Sequence, residues 1–237
     1  GLGDVYKRQV QEAPRRLSLG AFLSNGRYLR YLLGTAGAWF VFDYAYYGNS
    51  VSAPLIVKTV LGSGKHPLTE TLALNLIIFV VAAVPGYLLA TFAMDKIGHR
   101  RIQLIGFPLM GLAFLLIGVV PNITAEVTPF LILFGISYFF AEFGPNTTTF
   151  VLAAEVYPVS QRSTGHGISA GVAKFGAFIG VYLFPILLKD LGLAGAMELS
   201  AGFSLVGMLL TLLLPEPSGQ TLEALSFEDT DGLDLSG

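Results

Sequence analysis

Two ionisable residues of opposite sign stand where this 237-residue chain is otherwise apolar, and they carry most of the chemistry it can do. Asp43 lies inside the run Ala38-Trp39-Phe40-Val41-Phe42-Asp43-Tyr44-Ala45-Tyr46-Tyr47-Gly48, and Lys174 lies near the middle of the apolar segment 165–188. On a helix Trp39, Asp43 and Tyr47 recur at i, i+4 and i+8 with Tyr46 alongside, which makes one polar and aromatic stripe. A carboxylate at the centre of a bilayer costs about 2.5–3.5 kcal/mol on insertion scales, so Asp43 faces a bundle interior or a watery cavity. The plain reading is a structural hydrogen bond to a neighbouring helix. The aromatic donors in register and a deep lysine in need of an anion favour a ligand site over it.

A third unusual stretch is Ala141-Glu142-Phe143-Gly144-Pro145-Asn146-Thr147-Thr148-Thr149. Pro145 cannot donate to the carbonyl of Ala141 and Gly144 adds slack, so a helix here kinks or opens. Freed backbone at membrane depth is tolerated where it lines a cavity. Asn146 adjoins the break and Glu142 lies one turn away on the same face. With about 1.5 Å per residue, Asp43, Asn146 and Lys174 are expected within about 10 Å of the midplane, on three helices converging on one polar site.

The elements that must hold these residues are membrane spans. Hydrophobic residues are 53% of the chain and charged residues 13%, and mean hydropathy is +0.66, far from soluble-domain composition. Six apolar segments are long enough for a hydrocarbon core of about 30 Å: 28–50, 71–93, 102–120, 127–154, 165–188 and 194–214. Residues 50–61 read as a helix end or interfacial piece. The first nine residues read as a cloning or assembly scar and the whole as a fragment: residues 1–27 scar plus linker, 28–214 a six-helix transmembrane half, 215–237 a polar tail. Lys and Arg crowd one side (Arg27, Arg30, Lys96, Arg100, Arg101, Arg162) against Lys58, Lys65 and Lys189 on the other, so both ends are expected in the cytoplasm. With no Cys, disulfide, thiol and Cys-based metal chemistry are excluded. No metal-spaced His pair and no nucleophile beside a base suggests an enzyme; His166, at the start of the fifth span, is expected to hydrogen-bond near a gate.

Two loops on the basic side carry further pattern: Asp95-Lys96-Ile97-Gly98-His99-Arg100-Arg101 and Glu155-Val156-Tyr157-Pro158, the latter running on to Arg162. The first, D-x-x-G-x-R-R, resembles the inner-loop signature of the major facilitator superfamily, where it follows the second helix of a six-helix half. By that resemblance Asp95, Gly98, Arg100, Arg101, Glu155 and Arg162 belong to a cytoplasmic charge network that closes the inner gate. W-x-x-x-D-x-A-Y-Y-G (39–48), FGPNTTTF (143–150) and R-S-T-x-H-G-I-S-A (162–170), with Lys174 following, are similar to the phosphate:proton symporter family over residues 30–215. FGPNTTTF followed by E-V-Y-P and R-S-T-x-H-G-I-S is not generic to the superfamily. A P-E-x-x-G tail at Pro215 is shared with sugar porters and discriminates little.

The resemblance implies an all-α membrane fold, the C-terminal half of a twelve-helix transporter whose N-terminal half is missing. It implies inorganic phosphate and protons as the transported pair, a lipid bilayer as surroundings, the cell membrane as location, and no cofactor, metal or nucleic acid. Trp39, Asp43, Tyr47, Asn146 and Lys174 then match phosphate-site positions, with Asp43 and Glu142 as proton-coupling acids. Glu142 departs from the family pattern, which has Asn there, and adds a protonatable acid or shifts the substrate. An organic-anion or sugar porter of the same superfamily, or a phosphate-sensing membrane receptor, are the alternatives.

Overall fold

A computed structural model describes residues 17–62 and 68–219, which are helical and contain no strand. The expected scar, Lys65 and the tail beyond Gly219 lie outside the described residues. A short helix α1 (Leu19–Ser24) is capped by Ser18, whose Oγ accepts from the Ala21 amide at 3.2 Å. Asn25 then caps α2 (Gly26–Val51) by accepting from the Arg27 amide at 2.9 Å. The short apolar run after it is a helix of its own, α3 (Ala53–Leu61), with Pro54 in its first turn where a missing amide costs nothing.

Five long helices follow: α4 (Leu68–Ile97), α5 (His99–Val119), α6 (Val127–Glu155), α7 (Arg162–Asp190) and α8 (Gly192–Thr211). All five are long and apolar enough to cross a membrane. The sixth expected span, α2, does not join them. At 26 residues it is long enough, about 39 Å at about 1.5 Å per residue, but it carries Arg27, Arg30, Asp43 and Asn49 and is less apolar.

Two of the long helices break their own ladder. In α6 residues Glu142–Asn146 open into a π-helical turn, and Gly144 takes a non-helical φ of −108° and ψ of −105°. The threonine run that follows bonds back onto the turn: the hydroxyls of Thr147, Thr148 and Thr149 donate to the carbonyls of Glu142, Gly144 and Pro145 at 2.9, 2.9 and 2.7 Å. A second π-turn in α4, Phe79–Ala83, precedes Pro85 and follows from the same loss of an amide.

Glycines decide how closely α2 and α7 approach. α7 carries two pairs of glycines four residues apart; side chains added at Gly176 and Gly180 would run into the backbone carbonyls of Phe40 and Tyr44, so this pair packs helix on helix. The other pair, Gly167 and Gly171, has nothing within 4 Å and shares its open face with Lys174. Gly106 of α5 meets Gly144 at the break in α6, which lets these backbones touch. Buried hydroxyls and amides complete the assembly: Thr35 of α2 lies 2.5 Å from the Tyr157 hydroxyl and 2.9 Å from Ser169 of α7. Gln103 of α5 donates to Thr211 of α8 at 2.7 Å and accepts from Thr148 of α6 at 2.8 Å.

Candidate functional site

The stripe on α2 faces α7, and there the two opposite charges meet. Lys174 Nζ donates to Asp43 Oδ2 at 3.0 Å and to the Tyr47 hydroxyl at 3.3 Å, and it sits 4.7 Å from the centre of the Tyr47 ring. The burial is lopsided: the Asp43 side chain is 2% exposed and that of Lys174 is 60% exposed. Trp39 stands one turn before Asp43 on the same stripe, and its ring packs edge-on against His166 at 5.7 Å and Phe150 at 6.0 Å. Lys174 thus donates to a buried carboxylate beside an open face, with Tyr47 accepting from the same ammonium. His166 contributes ring contact rather than a hydrogen bond; its Nδ1 is buried without a partner.

Asn146 belongs to a neighbouring cluster. Its amide donates to Glu142 Oε2 at 2.6 Å, and the Tyr46 hydroxyl donates to Glu142 Oε1 at 2.7 Å, so both oxygens of this 5% exposed acid are engaged. The structure therefore gives two adjacent carboxylate centres where a single convergence on Asp43 was expected. The link between them is the pair of successive tyrosines, whose rings cross edge to face at 5.5 Å. Tyr46 was legible only as a companion of Tyr47. Its role depends on the π-turn, which rotates Glu142 toward α2.

At the basic end the charges are wired differently from the inner-loop reading. His99, not an arginine, joins Glu155 and Asp95: Nδ1 lies 2.6 Å from Glu155 Oε2 and Nε2 lies 3.7 Å from Asp95 Oδ1. Among the described residues no ion pair joins Arg100, Arg101 or Arg162 to those acids. The Arg100 guanidinium donates instead to the carbonyls of Thr211 and Leu212 at 3.3 and 3.2 Å, and Arg162 to that of Tyr157 at 3.3 Å. Glu216, from the tail motif that discriminated little in sequence, accepts from the backbone amides of Arg100 and Arg101 at 3.3 and 3.1 Å. An acid at a helix N-terminus satisfies amides that have no intrahelical partner. Gly98 is required beneath it, for its φ is +107° and a side chain there would strike Glu216. The signal for His99 was its spacing of four from Asp95, which a loop reading conceals.

A bundle with five helices long and apolar enough to cross a membrane defines the class of fold, and residues 18–227 match the family described as sugar (and other) transporter. The chain belongs to that family, within the major facilitator superfamily, and is a multi-pass membrane protein.

Its relatives narrow the likeness. The chain is 38% identical to the probable inorganic phosphate transporter 1-6 of Arabidopsis thaliana, over 95% of this chain and 46% of that one. It is 37% identical to the inorganic phosphate transporter PHO84 of Saccharomyces cerevisiae, over 84% of this chain and 36% of that protein. The chain thus spans about half the length of these relatives or less. A crystal structure of a double-tryptophan XylE mutant superposes with a TM-score of 0.68, at 22% identity, over 95% of this chain and 49% of the other, which is a likeness of fold.

Proposed function

We propose that the full-length parent of this chain is a secondary active transporter that takes up inorganic phosphate together with protons by alternating access. The residues described here would form its C-terminal six-helix half, with both ends in the cytoplasm of a cell whose plasma membrane it occupies. The observation that carries this reading is the pairing of buried Asp43 with exposed Lys174, beside Trp39 and Tyr47, on a face that is open. The phosphate-transporter relatives support the substrate.

Phosphate arriving beside an ionised Asp43 is repelled; at about 4 Å and an effective dielectric near 20, two like charges cost about 4 kcal/mol. A proton on Asp43 removes that cost and frees Lys174 to attract the anion. Trp39, Tyr47 and Asn146 then donate to its oxygens, and Lys174 supplies a charge-assisted bond. Glu142 is a second proton-binding acid one cluster away. Rocking of the two halves turns the loaded site inward, where the lower proton activity draws the proton off and the restored Asp43–Lys174 pair expels phosphate. Asp95, Gly98, His99, Arg100, Arg101, Glu155 and Arg162 form the cytoplasmic latch that closes and opens with this motion. A neutral sugar needs no fixed cation in the cavity, so Lys174 weighs against the sugar-porter alternative.

The test is uptake of labelled phosphate by the full-length parent in proteoliposomes at two external pH values. Uptake is expected to rise with an inward proton gradient in the wild type and to lose that dependence in Asp43→Asn, which keeps binding phosphate. Folded protein without phosphate uptake at either pH defeats the reading; binding without uptake leaves a receptor.

A further inference from the structure

The Glu142 cluster poses a question of donor supply. The Tyr46 hydroxyl has a single hydrogen, and it is spent on Glu142 Oε1 at 2.7 Å; the Asn146 amide has two, and one is spent on Glu142 Oε2 at 2.6 Å. An anion reaching this cluster meets a carboxylate that already holds the donors it needs. No cation is paired with Glu142 among the described residues. From α2 it faces Tyr46, with Asp43 and Tyr47 beyond; from its own helix it faces Tyr138; α7 contributes Lys174, which is committed to Asp43. On α5, packed against the break, Gln103 is turned to Thr148 and Thr211.

We infer that Glu142 is an internal competitor of the transported oxyanion: ionised, it keeps Tyr46 and Asn146 for itself, and protonated, it holds them only as a weaker neutral acceptor, yields them to the anion and donates its own O–H to it. The inference rests on the phosphate reading above and deepens it. The proton comes from the outer solution onto a Glu142 oxygen, no other bond is made or broken, and it leaves to the cytoplasm when the carboxylate reclaims its two donors. The cluster thereby couples a second protonation to substrate affinity, separately from the Asp43–Lys174 pair. It arises because an acid stands at 142: a neutral amide there has no charge to repel the anion and does not change with pH.

The experiment is calorimetric phosphate binding to the purified full-length parent, at about pH 5 and about pH 8, for wild type, Glu142→Gln and Tyr46→Phe. Comparing each variant with wild type at the same pH cancels the titration of phosphate itself. Glu142→Gln is expected to bind about tenfold tighter than wild type at the higher pH and within about threefold of it at the lower. Tyr46→Phe is expected to match wild type at the higher pH and to lose about fivefold at the lower, where its hydroxyl is released. A Glu142→Gln to wild-type affinity ratio that is the same at both pH values overturns the role of Glu142 while leaving phosphate as substrate. Folded wild type that binds no phosphate at either pH overturns the phosphate reading instead. If Glu142→Gln does not fold, Tyr46→Phe alone decides: equal affinity loss at both pH values overturns the inference.

Discussion

Asp43 and Lys174 share one ion pair but not one environment, and the difference predicts unequal mutants. With its side chain 2% exposed, Asp43 left alone is a buried carboxylate without a partner, whereas Lys174, 60% exposed, keeps its solvent when Asp43 is gone. Breaking a fully buried pair from one side costs about 3–5 kcal/mol, but the exposure of Lys174 means that water already screens much of the attraction. Lys174→Met should therefore lower unfolding stability by about 1–2 kcal/mol, Asp43→Asn by less, and the double variant should recover most of the loss. Thermal unfolding of the four proteins in detergent measures this cycle. A loss in Asp43→Asn as large as that in Lys174→Met would mean that the lysine, too, depends on the pair.

At the scale of elements, the break in α6 and the latch at the basic end give opposite lessons about what a sequence reveals. The break was legible because Gly144 and Pro145 act locally, and five of the six apolar segments were legible as spans because length and hydropathy are one-dimensional. The wiring of the latch was not legible, since it depends on how α4, α5, α6 and the tail converge in space; arginines drew the eye, while His99 and Glu216 make the contacts. The close approach of Gly106 to Gly144 was hidden for the same reason. Gly106→Val should cost about 1–3 kcal/mol by overpacking backbone on backbone, while Gly171→Ala, with open space before it, should leave the melting temperature unchanged. At the basic end, a protonated His99 is attracted by Glu155 and Asp95 and a neutral one much less, so the contact is strong at low pH and fades as pH rises through the imidazole's titration, which Glu155 raises. Phosphate efflux from preloaded vesicles should speed up as internal pH rises in the wild type, and His99→Ala should be fast at every pH. An unaltered pH profile in His99→Ala would remove His99 from the latch.

At the scale of the whole molecule, the surface divides by chemistry. The α4 face displays Leu76, Ile77, Val81, Leu88 and Phe92, residues that lipid covers at no cost. The α7 face displays Gly167, Gly171 and a lysine ammonium beside exposed Phe178 and Tyr182, and hydrocarbon cannot solvate that charge. Under the proposed function the α7 face around Lys174 borders a watery cavity, and the two faces should differ in access to water. Because this chain has no Cys, single cysteines report on it cleanly once the remainder of the parent is also cysteine-free. Gly171→Cys should react with a membrane-impermeant maleimide in intact proteoliposomes, and Phe92→Cys, 75% exposed but exposed to lipid, should not. Phosphate should slow the labelling of Gly171→Cys, since the ligand and the thiol lie on the same face as Lys174. Sugar at the same concentration should leave the rate unchanged, because it has no charge for Lys174 to hold. Equal labelling of the two positions would place the α7 face against lipid and leave the Lys174 ammonium to be explained by thinning of the bilayer around it. Unequal labelling that phosphate does not slow would keep the cavity and move the substrate elsewhere in it.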